Sequence, residues 1–349
     1  MLLRTRFRHT ARPCSAIART TGHGYSRATL LVLALVMPHS VSATPVDDLV
    51  QRISQPEYTS YVQDLQNFGT RYYSTPGNAA ALSYIHGAFA GFGLNVSYDP
   101  FSFSGNTYNN VVATLPGKIH PENVYIVGAH MDSTSTDPLN HAPGADDNAS
   151  GMAAVLAMAK ALVPYAFNAT IKFIGFNAEE EGLVGSHAYA TEAQLNGEHI
   201  VGMLNFDMIA DGGPTSPKSV YLAGDQALVD AMARNAATYT ALTTNIAYAN
   251  VYGSDHYYFH SSLLPGSSSA FAIETSPGNI PSYNPNYHQP TDTVDYLDFG
   301  YASDITRIGV ATVAEFAEPV PEPPAFVFFL MGIAFLAWGT PRARPVSTR

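Results

Sequence analysis

The chain has 349 residues, 46% of them hydrophobic and 13% charged, with a formal net charge of −11. That is one large domain or two ordinary ones, with ample material for a core. Between two arginine-rich ends, residues 44–320 hold eight basic against 27 acidic side chains, a net of about −19. Such a body lacks the basic footprint that phosphate contacts need, so nucleic-acid binding is excluded. The one cysteine, Cys14, lies near the N-terminus. The body therefore has no disulfide, no cysteine nucleophile and no thiolate metal site, and any metal must be held by His, Asp and Glu.

Residues 1–43 carry six arginines between Arg4 and Arg27, then the short apolar run ATLLVLALVMP, then HSVSA ending at Ala43. This is the pattern of a secretory signal peptide with a long basic leader. The apolar run falls short of the roughly 20 residues a transmembrane helix needs. Residues 44–318 read as a single domain. VDDLVQRISQ, YTSYVQDLQNFG and NAAALSYIHGAFAGFG are predicted helices, the last ending at a glycine stop. NVSYDPFSF and NNVVATLPG follow as strands, with a turn at Pro116 and Gly117.

Apolar runs then alternate with helical ones. VYIVGAH is a predicted strand, SGMAAVLAMAKALV a helix, TIKFIGF and VGMLNFDMI strands, SVYLAG a strand, DQALVDAMARNAATY a helix and SAFAIE a strand. LDFGYASDITRIGVATVAEFAE closes the domain as a helix. Continuous apolar strands alternating with helices predict an α/β domain with a buried, largely parallel sheet between helices. The end of the chain holds VPEPP, the apolar AFVFFLMGIAFLAWG, and a tail with Arg342, Arg344 and Arg349. This arrangement resembles the PEP-CTERM sorting signal of Gram-negative bacteria, read by an exosortase; an ordinary tail anchor is the alternative. It implies export to the cell envelope or beyond, with membrane contact only through the terminal segments.

In such a sheet, chemistry sits outside the carboxyl ends of the strands. VYIVGA is followed by His130 and Asp132, and APGADDNASG places Asp146 and Asp147 just before a helix. IKFIGFNA leads to Glu179 and Glu180, GMLNF to Asp207, and NPNYHQPTDT carries His288. Imidazole and carboxylate ligands suit zinc. A two-metal site needs a bridging carboxylate and about two further ligands per ion. His130, Asp147, Glu180, Asp207 and His288 supply that inventory.

These residues stand in motifs, GAHMDS, APGADDNASG, NAEEEGLVGS, NFDMI, YGSDHYYF and YHQPTDT. Their order and spacing resemble those of the zinc aminopeptidases of peptidase family M28, over about residues 60–316. The resemblance implies one α/β domain of the zinc exopeptidase fold, with a mixed sheet of about eight strands and two co-catalytic Zn²⁺ ions, Co²⁺ or Mn²⁺ being substitutes. It implies peptides as substrates. His130 and Asp207 would hold one ion, Glu180 and His288 the other, and Asp147 would bridge them. Glu179 would be the general base, Asp132 would fix the tautomer of His130, and Tyr287 would help stabilise an oxyanion. Asp146 is read as turn chemistry before a helix, and Glu181 as a solvated bystander. His187 and His199 are read as surface residues on helix-like stretches, and His256 as supporting the site without binding metal.

Competing readings are weaker. No G-x-S-x-G follows a strand, so a serine hydrolase is not supported. A glutaminyl-cyclase-like transferase shares the fold but is expected to hold one zinc. A carboxypeptidase needs a cation for the substrate carboxylate, and the body has only four arginines, Arg52, Arg71, Arg234 and Arg307. A surface-displayed binding module without catalysis would be expected to lack a ligand or the base, and all six positions are present.

Overall fold

In the computed structural model, residues 45–213, 216–275, 278 and 284–320 are described. The leader read as a signal peptide lies outside these residues, as does the sorting-signal pattern from residue 321 on. Among the described residues no helix is long and apolar enough to cross a membrane. The elements run α1 (Pro45–Gln51), α2 (Gln55–Gln66), α3 (Pro76–Gly91), β1 (Asn95–Phe103), β2 (Asn106–Leu115), β3 (His120–His130), α4 (Gly151–Leu162) and β4 (Ala169–Phe176). They continue α5 (Val184–Leu195), β5 (Ile200–Phe206), β6 (Ser219–Gly224), α6 (Gln226–Tyr239), β7 (Thr243–Ala247), β8 (Ser269–Ile273) and α7 (Phe299–Ala317). The strands form one eight-stranded sheet in the order β1-β2-β4-β3-β5-β8-β6-β7.

The centre of the sheet is parallel. Strand β3 pairs in parallel with β4 and with β5, and β5 with β8. The outer β1 and β2 are antiparallel, as is the β6–β8 pair. The sheet is thus mixed and mostly parallel about its core, as the apolar runs imply. The chain passes from β3 to β4 on one side and then to β5 on the other, so its winding reverses at β3. His130 pairs with Phe176 at the end of β4, and Gly128 pairs with Asn205 near the end of β5. Three adjacent strands therefore finish at one level, the place where such sheets bind ligands.

The Ala-rich helix α4 is buried almost all round. It lies against β3, β4 and β5 and also meets α2, α3 and α7. Val155, Leu156 and Met158 are fully buried there, each contributing about 1.5–3 kcal/mol. A second cluster joins Ile126, Ile174, Phe176, Met203, Tyr189 and Phe259, and ties α5 and the segment Asp255–Phe259 to the sheet. Gly151 opens α4 where only a glycine fits. A Cβ there would meet the carbonyl oxygen of Phe206 at 2.1 Å and Oδ1 of Asn148 at 2.4 Å.

Three details depart from the sequence reading. Strand β5 stops at Phe206, so Asp207, Met208 and Ile209 form a loop. His199 lies immediately before β5, not on a helix. The edge strand β7 has no apolar run to announce it, because most of its side chains face solvent.

Candidate metal centre

The strand ends deliver the side chains to one point. Nε2 of His130 lies 3.2 Å from Oδ1 of Asp147 and 3.4 Å from Oδ1 of Asp207. Nε2 of His288 lies 3.1 Å from Oδ2 of Asp147 and 3.0 Å from Oε2 of Glu180. Asp147 therefore presents one oxygen to each of two imidazoles. Oε2 of Glu179 stands 3.9 Å from Nε2 of His130. Among the described residues, His130–Asp147–Glu180 and His130–Glu179–Asp207 each offer ligand atoms within 4.8 Å of one another. Five candidate ligands and the candidate base, drawn from the end of β3 and from four loops, thus converge.

Zinc fits this set. The donors are two imidazoles and carboxylates, with no thiolate. Oε1 of Glu180 and Oδ1 of Asp207 are buried without a hydrogen-bond partner, and a single imidazole N–H cannot serve the three carboxylates around His130. Burial lowers the pKa of His130, but Glu179, Asp207, Asp132 and Asp147 more than offset this and hold it well above the usual imidazole range. His288, opposed by burial but facing Asp147 and Glu180, is pushed up to about 10. Burial would raise Asp147, yet hydrogen bonds from both imidazoles hold it below the usual carboxylate range. Burial, aided by Asp147, pushes Glu180 up to about 7. Glu179 is raised well above the usual range by burial, with Glu180, Asp207 and Asp255 adding to it against His130.

The surrounding residues explain the placement. Asp132 is buried, and its two carboxylate oxygens accept the amides of Glu179 (3.1 Å) and Glu180 (3.2 Å). Its backbone carbonyl, 3.2 Å away, is the nearer partner of Nδ1 of His130; its Oδ1 is 3.6 Å off. The tautomer task expected of the Asp132 carboxylate is thus shared with its own carbonyl, and the carboxylate mainly grips the glutamate loop. Tyr287 stacks on His288, with ring centroids 3.8 Å apart. His256 is buried against Phe271, centroids 4.4 Å apart, and burial pushes its pKa down to about 3, so it stays neutral. Glu181 is half-exposed.

Asp146 is not a simple turn residue. It is buried, Oδ1 accepts the amide of Ala210 (2.9 Å) and Oδ2 accepts Nδ2 of Asn284 (3.0 Å). Asn148 joins the same seam, donating to the carbonyl of Phe206 at 2.9 Å, and Ser150 Oγ accepts the amide of Ile209 at 3.0 Å. The ADDNAS loop is thereby stitched to the loop that carries Asp207; the peptide bond between Asp147 and Asn148 within it is cis. Burial, with Asp292 close by, pushes Asp146 up to about 8. Arg71, also missed by sequence reasoning, is fully buried. It donates to the carbonyls of Met131 (2.9 Å), Leu65 (3.1 Å), Pro143 (2.7 Å) and Gly144 (2.8 Å), clamping the loops of His130 and Asp147 from behind. Nothing local in the sequence separates it from a surface arginine; its scarcity in an acidic body is the one available signal.

The arginines also bear on the carboxypeptidase reading. Arg71 is spent on carbonyls, Arg52 pairs with Asp48, Arg234 with Glu315 and Arg307 with Asp304. None of the four stands ready for a substrate carboxylate.

Comparison with known proteins agrees with this geometry. The Peptidase family M28 model matches residues 110–313, more than half of the chain. A probable leucine aminopeptidase of Arthroderma otae is 31% identical over 266 residues, covering 72% of this chain and 71% of its own. A probable zinc metalloprotease of Pyrenophora teres f. teres is 29% identical over 221 residues, 55% of this chain and 48% of its own, so the chain spans about half of that relative. The crystal structure of the LapA aminopeptidase of Legionella pneumophila matches with a TM-score of 0.69 at 21% identity, covering 79% of this chain and 75% of its own. The glutaminyl cyclase of Porphyromonas gingivalis matches with a TM-score of 0.61 at 17% identity, covering 75% and 98%. These two structures speak for the fold alone. By the matched residues and the fold they build, the chain belongs to peptidase family M28.

Proposed function

We propose that the chain is a zinc-dependent aminopeptidase that removes N-terminal residues from peptides at a centre for two zinc ions. The observation that carries this reading is Asp147, which offers one oxygen to each of two imidazoles. A site for one ion has no need of a carboxylate so shared, which disfavours a glutaminyl-cyclase-like reading on the same fold. His130 and Asp207 would hold one ion and Glu180 and His288 the other, with Asp147 available to both. Zinc, when bound, lowers the pKa of water and polarises a carbonyl.

The residues of the chain do the rest. Glu179 takes the proton of the attacking water and returns it to the leaving amine. Its largely buried carboxylate stands 3.9 Å from Nε2 of His130, beside the ligand set. Asp132 fixes the Glu179–Glu180 backbone, so base and ligand stay in register. Tyr287, whose pKa is raised by burial and then by Asp147 and Glu180, stays a neutral phenol and can donate to a developing oxyanion, a contribution of roughly 3 kcal/mol. The four arginines of the body are all engaged elsewhere, which supports an aminopeptidase over a carboxypeptidase.

The test is metal analysis of the purified residue 44–320 body together with assays on free, N-blocked and C-blocked peptides. Two zinc ions per chain and cleavage of free and C-blocked peptides only are expected. One ion per chain, or equal cleavage of N-blocked peptides, overturns the reading. The basic leader and the Pro-Glu-Pro tail support a further proposal, export from a Gram-negative cell with exosortase-type sorting at the C-terminus. Finding the unprocessed full-length chain in the cytoplasm would overturn that proposal.

A further inference from the structure

We infer that Asp292, four residues beyond His288 in YHQPTDT, is the positioning residue that fixes the shared ligand Asp147. The inference rests on the metal-centre reading above and assigns a task that reading leaves open. Asp292 is 2% exposed. Its Oδ1 accepts the amide of Asp146 at 2.8 Å, and its Oδ2 accepts the amide of Asp147 at 3.0 Å. Its own carbonyl accepts the amide of Ala145 at 3.1 Å. Three consecutive amides of the ADDNAS loop therefore end on one residue. The hydroxyl of Tyr296 donates to Oδ1 at 2.8 Å and helps to hold the carboxylate, and the amide of Asp292 bonds back to the carbonyl of Gln289.

Two consequences follow. A carboxylate that receives two adjacent amides fixes the peptide plane between them, and with it the direction in which the Asp147 side chain leaves the backbone. Its setting also joins two ligands. His288 and Asp292 ride on the same short loop, so the residue that aims Asp147 is carried with the imidazole 3.1 Å from Oδ2 of Asp147. The loops supplying the shared ligand and the last ligand are thus locked as one piece. A serine, or an aspartate turned to solvent, could end the loop equally well but could not accept both amides.

The test is zinc binding by competition with a chromogenic chelator, and the absorption spectrum of the Co²⁺-loaded protein, for wild type, Asp292→Asn and Tyr296→Phe. In Asp292→Asn one of the two amides faces an NH₂ group. Loss of such an outer partner lowers metal affinity by about 10- to 100-fold. Because Asp147 is shared, both ions should weaken together and the Co²⁺ spectrum should shift. Tyr296→Phe keeps both amide acceptors and should weaken binding only a few-fold. A merely structural role would lower the melting temperature of the metal-free protein and leave zinc affinity and the Co²⁺ spectrum unchanged; that result overturns the inference. If Asp292→Asn fails to fold, Tyr296→Phe decides, and unchanged affinity there overturns it. A wild-type chain that binds fewer than two ions instead overturns the metal-centre reading.

Discussion

The two halves of the centre are built differently. His130 ends β3 and Asp207 follows β5, and both side chains are nearly inaccessible, at 1% and 7%. Their positions are inherited from a hydrogen-bonded sheet. Glu180 and His288 sit on loops. His288 adopts a left-handed φ of 55° and is 34% exposed, and Glu180 owes its place to the Asp132 carboxylate below its amide. The lesson is that both halves are clamped, but His130 and Asp207 lie within one residue of a paired strand, whereas Glu180 and His288 lie farther out on loops. The Glu180–His288 half should therefore release its ion first.

The largest expected effect concerns the base, Glu179, which stands beside His130 and Asp207. Glu179→Gln should retain both ions and lose about 10²–10⁴-fold in kcat, measured as turnover against bound zinc. Retained turnover would remove Glu179 from its role. His288→Ala should then lose one zinc and keep one tightly held ion by mass spectrometry under native conditions. If the surviving ion is the weaker of the wild-type pair, the comparison of the halves is reversed.

Asp132→Asn leaves the backbone carbonyl on His130 but removes one of two acceptors under Glu179 and Glu180. Affinity should fall by about 10- to 100-fold, more for the second ion than for the first, read by stepwise chelation. The pH dependence follows from the raised imidazoles. Metal-free His288, with a pKa pushed up to about 10, holds its proton through neutral pH, and a metal can bind only the deprotonated ring. Zinc uptake should release protons, and affinity should fall as pH drops from 8 to 6, by about tenfold per unit for each proton displaced. A pH-stat titration checks the sign. The smallest effect belongs to Glu181→Gln, on the same loop but outside the cluster. Stability should change by less than about 0.5 kcal/mol, with kcat/KM within about threefold; a large loss would make Glu181 part of the machinery.

The sequence marks seven of the eight strands, five of them by apolar runs, and the missing one, β7, lies at an edge where exposed and half-exposed residues carry no strong pattern. Strand ends followed by His, Asp or Glu point to the centre, because a parallel sheet must present those ends on one side. Asp146 and Asp292 stay hidden, since a buried carboxylate that accepts backbone amides has the same local sequence as one in a solvated turn. Asp132 is half legible: two residues past His130 it reads as that ring's partner, yet its carboxylate is turned to amides 47 and 48 residues further along.

By itself the sequence determines the alternation of strands and helices, the absence of thiol chemistry and the inventory of ligands, because periodicity, composition and residue type are local. Only the tertiary structure decides which glutamate of NAEEEGL meets an imidazole and which stays at the rim, that Asp147 is shared, and that Asp292 aims it. Those outcomes depend on contacts between loops up to about 150 residues apart, and such contacts exist only once the sheet has brought its strand ends together.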